Sequence, residues 1–145
     1  MFFNFSGEIS NVTLVNATVK SDKAASGALV GRATGDLKLA NCRVYLADSD
    51  LSSMKAASAD KIPSRVTGTH AGGLVGVYEN SSTGNTQANG TLIIENSFAA
   101  TTISGTTAAA GLVGHAAGAV SVSQSYTDCY LTAPTTGGLV GTTGD

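Results

Sequence analysis

The stretch AGGLVG at residues 71–76 occurs in near copies three more times, as SGALVG at 26–31, AAGLVG at 109–114 and TGGLVG at 136–141. Its leucines, Leu29, Leu74, Leu112 and Leu139, form a repeat core with gaps of 45, 38 and 27 residues. A second element follows three of them: GDLKLANC (35–42), GTLIIENS (90–97) and GAVSVSQS (118–125), with the pattern G-x-[LV]-x-[LIV]-x-[NQ]-[CS]. From Leu29 to Asn41 and from Leu112 to Gln124 is 12 residues, but from Leu74 to Asn96 is 22. The excess is the polar run ENSSTGNTQAN (79–89), which has the composition of a surface loop. A second insertion, rich in Asp, Ser and Lys, occupies about 47–70. Without the two insertions the period is 27–28 residues, and FSGEISNV (5–12) aligns with GDLKLANC, Phe5 in the Gly place and Asn11 in the Asn place.

A period of this size marks stacked units, none of which buries its apolar face alone. Within each unit the alternation is two: Leu37 and Leu39 face one side, Lys38 and Ala40 the other. Gly brackets every such run and Pro occurs only at 63 and 134, so the one helix-compatible piece is 51–61. The expected fold is all-β, a parallel β-solenoid of about five coils forming one repeat domain over 1–145, with strands stacked at ~4.8 Å. Parity puts Asn11, Asn41, Asn96 and Gln124 on the side of the buried aliphatics, as an inward structural ladder of paired amides. The glycines around Leu-Val are expected to supply positive φ and close approach. Parity sends the Val away from the Leu, beneath a loop or neighbouring sheet.

Composition narrows the function. Aromatics are 6% with no Trp, so the core must be Leu, Val, Ile and Ala. Net charge is −2 and no Lys/Arg cluster occurs, which argues against nucleic acid. No apolar run approaches the ~18–20 residues of a membrane span, so no helical membrane insertion is expected. MFFNF is too short and too soon followed by polar residues for a signal peptide. Cys42 and Cys129 fall at different points of their repeats, which argues against a disulfide. His70 and His115 sit four before and three after their leucines and lack a third ligand at suitable spacing, so no metal site is expected. No serine lies in a G-x-S-x-G elbow; no catalytic residue and no cofactor are expected. Asp48, Asp50 and Asp60, with Glu79, are the weak ligand or ion candidates, although DSDLSSMKAAS lacks the Gly and closing Glu of a calcium loop.

With GALVG, GGLVG, AGLVG and GGLVG, three of them followed by the second element, the chain resembles the GLUG-motif repeats of large secreted and surface-attached bacterial proteins, adhesin-like chains among them. The resemblance implies an extracellular or cell-surface location and a passive module. The metallopeptidases that also carry such repeats have an HExxH that is missing here. The expectation is a non-catalytic structural or adhesive module, contacting a host or matrix glycan or protein. The alternative is a carbohydrate-binding or polysaccharide-acting module using the acidic residues of 47–62. Gly144-Asp145 match Gly35-Asp36, so the sequence ends in the phase in which it began. That suits a segment of a longer solenoid, or a homo-oligomer or filament stacked end to end with Phe2, Phe3 and Phe5 buried at the joint.

Overall fold

Short alternating segments punctuated by Gly and Asn favour strands that turn often, and strands are what the chain forms. The computed structural model describes residues 2–22, 24–47, 65–83, 86–88 and 90–144, and among them there is no helix. Three parallel sheets run side by side. The first contains Phe2–Ser10 against Val30–Ala40. The early part of Val30–Ala40 pairs with Val75–Glu79 and its later part with Thr91–Glu95. Those two rows continue to Val113–Ala117 and Val140–Thr143, and to Ala119–Ser123. The second sheet stacks Thr13–Val15, Arg43–Tyr45, Phe98–Ala100 and Tyr126–Thr127. The third centres on Val66–Gly72 and Thr102–Ala110. The arrangement is consistent with a parallel β-helix.

Register follows the sequence repeat. Phe2, Val30, Val75, Val113 and Val140 share one column, in steps of 28, 45, 38 and 27 residues. Inside, Leu37, Leu92 and Val120 form one column of aliphatics and Leu39, Ile94 and Val122 the next. Leu29, Leu74 and Leu112 are at most 3% exposed, whereas Leu139 is 40% exposed because no described strand pairs on the far side of Val140–Thr143. On the outer side Lys38 Nζ pairs with Glu95 Oε2 at 3.0 Å.

The Leu-Val-Gly corner is the tightest place. The carbonyl of Leu74 accepts the amides of both Leu29 and Val30, at 3.1 and 3.0 Å. Leu112 does the same for Leu74 and Val75, and Leu139 for Leu112 and Val113. The last Gly of each motif stacks on the same Gly of its neighbour. A Cβ on Gly76 would meet Gly31 O at 2.5 Å, one on Gly114 would meet Gly76 O at 2.6 Å, and one on Gly141 would meet Gly114 O at 2.5 Å.

Several expectations are corrected here. The motif glycines do not have positive φ; among the described glycines only Gly7 and Gly35 do, so close approach alone explains the motif. Val30, Val75 and Val113 do not face away from the leucines but are fully buried with them, because the corner falls between Leu and Val and resets the alternation. Phe5 is not in the Gly place: it pairs with Ala33, and the register shifts before Gly7 meets Leu37. The end of the 47–70 insertion belongs to the repeat, since Val66–Gly72 is a strand of the third sheet. Residues 48–64 lie outside the described residues. In the other insertion Ser81–Thr83 and Thr86–Ala88 pair antiparallel and, among the described residues, only with each other.

Two alanine substitutions separate close approach from backbone flexibility. Gly114→Ala is expected to cost about 1–3 kcal/mol or more, because its Cβ meets backbone that cannot yield. Gly138→Ala, which has nothing within 4 Å of its Cβ, should leave the unfolding free energy from urea titration within about 0.5 kcal/mol of wild type. Equal losses for the two would refute this reading of the motif.

Candidate functional site

The corner between the first and second sheets is where the repeat's polar residues converge. Asn11, Asn41, Asn96 and Gln124 have φ of 58, 55, 45 and 49°, the left-handed conformation that Asn tolerates best among residues with a side chain. Gln lacks that tolerance, so Gln124 carries a strain of roughly 1–2 kcal/mol. All four residues are exposed, and the inward placement expected from parity is wrong. Parity fails because it assumes an unbroken strand up to the amide. A ladder nevertheless runs along the outside: Asn41 Nδ2 donates to Asn11 Oδ1 at 3.2 Å and Asn96 Nδ2 donates to Asn41 Oδ1 at 2.5 Å.

Beneath it runs a ladder that the sequence reading missed. Ser97 Oγ donates to Glu95 O at 2.7 Å and accepts the Cys42 amide at 3.0 Å. Ser125 Oγ donates to Ser123 O at 2.8 Å and accepts the Ser97 amide at 3.1 Å. Cys42 Sγ keeps the same pose toward Ala40 O, at 3.5 Å. The signal was present as the [CS] that ends the second element. A short side chain there reaches back two residues to a carbonyl and serves the next repeat with its lone pair.

Two residues beyond each amide the second sheet presents an outward column: Thr13, Arg43, Phe98 and Tyr126. The Phe98 and Tyr126 rings stack with centroids 5.0 Å apart and planes 6° apart, and Tyr45 lies 6.0 Å from Phe98 on the other side. Tyr126 is 59% exposed. Between the rings and the amides lies a groove of about 290 Å³ lined by Arg43, Asn96, Ser97, Phe98, Gln124 and Tyr126.

A second groove, of about 270 Å³, lies between the first and third sheets beside the glycine column. His70 and His115 are half-buried strand residues whose rings lie 5.1 Å apart. His115 Nδ1 is 2.8 Å from Thr142 Oγ1, and Arg32 Nη1 meets Glu79 Oε2 at 2.7 Å. Burial, then the neighbouring His115 and Arg32, push the His70 pKa below its ordinary 6.5, against a smaller opposing pull from Glu79.

Asp48, Asp50 and Asp60 lie outside the described residues. Phe2 and Phe3 are 46% and 66% exposed, and the Phe2 and Phe5 rings lie 4.7 Å apart. Cys42 and Cys129 are both free thiols. Burial raises the Cys42 pKa and lifts that of Cys129 to about 11. Among the described residues no three of His, Cys, Asp and Glu converge as a metal site. No protein-family model, curated protein or solved structure matches the chain.

The histidine groove gives a pH dependence of definite sign. A lowered folded-state pKa means that the unfolded chain takes the proton first. His70's contribution is therefore complete above about pH 6.5 and is lost as pH falls through the window below it. Urea midpoints should drop as pH falls from about 6.5 to 5.5, a range above most carboxylate titrations. In His70→Gln that drop should shrink; an unchanged drop would show that His70 is not its source.

Proposed function

We propose that this chain is a non-catalytic structural and adhesive module of a bacterial surface or secreted protein, a parallel β-solenoid of about five GLUG-type coils carrying two surface insertions. It works by extending, by presenting its insertions and by associating end to end. The supporting observation is the destination of the recurring polar side chains. Each Asn and Ser of the corner bonds to the neighbouring repeat, so the chemistry that recurs serves stacking. Association is supported by the strands at the two ends of the first sheet, Phe2–Ser10 and Val140–Thr143. Among the described residues each pairs on one side only. An open parallel edge is a template for a further strand, and exposed Leu139 adds apolar surface beside it.

Light scattering over a concentration series tests the association. Mass is expected to rise with concentration, and Leu139→Glu is expected to suppress the rise by burying a charge at the joint. A monomeric mass at every concentration would contradict end-to-end assembly.

A further inference from the structure

We propose that the groove beside the Phe98–Tyr126 ring pair is a binding subsite for an acidic saccharide. Three observations meet there. The rings stack face to face at 5.0 Å, so they turn a continuous apolar edge to the groove and leave the outer face of Tyr126 open at the end of its sheet, held in register by two paired strands rather than by a loop. Beside it stand the outward amides of Asn96 and Gln124, each with both a donor and an acceptor. Asn96 is oriented by its bond to Asn41, which commits Nδ2 to the ladder and leaves acceptor capacity on Oδ1. Arg43, exposed on the same column, is the one charged side chain among the described residues lining the groove.

A sugar ring is the ligand whose surface matches this set. It has a patch of C–H groups that packs on an aromatic surface, with hydroxyls around its rim that both donate and accept. Few precisely placed polar groups around an apolar wall are the ordinary makeup of a small-ligand site. The guanidinium adds the sign of charge: its planar fork fits a carboxylate bidentately, and no lining carboxylate competes for it. A run of uronic acid residues laid along the column matches rings, amides and guanidinium, whereas neutral hexoses leave Arg43 unmatched. The groove is shallow, so a single residue should bind weakly, with affinity coming from neighbouring sugars laid along the column. This inference is independent of end-to-end association: a monomer can bind saccharide, and a filament can lack the site.

The test is an amide NMR titration of the full chain with a tetrasaccharide of galacturonic acid and, separately, with its uncharged galactose counterpart. The acidic sugar is expected to shift the amides of Arg43, Asn96, Phe98, Gln124 and Tyr126, and to bind more tightly than the neutral one. Tyr126→Ala should weaken binding about tenfold or more, and Arg43→Gln should remove the preference for the acid. Tyr130→Ala, an exposed tyrosine outside the groove, should change neither and serves as the control for fold. The proposal is overturned if neither sugar shifts these amides, or if both bind alike. Binding that survives Tyr126→Ala and Arg43→Gln unchanged overturns it as well.

Discussion

The constraint on which the rest depends is how closely the backbones of successive repeats meet at the Leu-Val-Gly corner. There one leucine carbonyl accepts two amides of the neighbouring repeat, and Gly76, Gly114 and Gly141 each lie against the carbonyl of the same glycine in the preceding motif. No residue with a Cβ fits that spacing without displacing backbone. Once the corner is closed, the strand that leaves it is committed to one register. The aliphatic columns of Leu37, Leu92 and Val120 and of Leu39, Ile94 and Val122 then follow without further specification.

The opposite end of that strand is fixed by different chemistry. A left-handed Asn turns the chain into the second sheet and puts its amide outside, while the following Ser or Cys turns inward and closes the orphaned backbone groups. Glycine thus governs one corner by its size and asparagine the other by its tolerance of positive φ. The antiparallel pair Ser81–Thr83 and Thr86–Ala88 falls between Val75–Glu79 and Thr91–Glu95, where Val30–Ala40 is one unbroken strand.

Much of this was legible in the sequence because the repeat spacing equals the register. The gaps between Leu29, Leu74, Leu112 and Leu139 are the offsets of the paired strands. The buried positions of Leu37, Leu39, Leu92 and Ile94 follow from simple alternation. Alternation failed where the chain leaves the strand: it turned the amides inward and the valines outward, since a corner inserts residues that count in sequence but not in pleat. Val66–Gly72 was hidden because VTGTHAG resembles loop composition, and only its pairing with Thr102–Ala110, Val19–Lys20 and Ser26–Gly27 marks it as a strand. The saccharide groove was illegible for a related reason. Arg43, Phe98 and Tyr126 share a position two residues past the amide, but they are chemically unlike and form no pattern until stacked.

The most direct test of in-register parallel stacking is oxidative cross-linking of paired cysteines, mapped by mass spectrometry. Ile93 and Ser121 are partners on adjacent strands, and Lys38 lies in the same column one strand further on. Ile93→Cys with Ser121→Cys is expected to form a disulfide readily, because adjacent strands lie about 4.8 Å apart. Lys38→Cys with Ser121→Cys, about 10 Å apart across two strand spacings, is expected not to. Cross-linking of the distant pair as readily as the near one, or of neither, would contradict the stacked register on which the account rests.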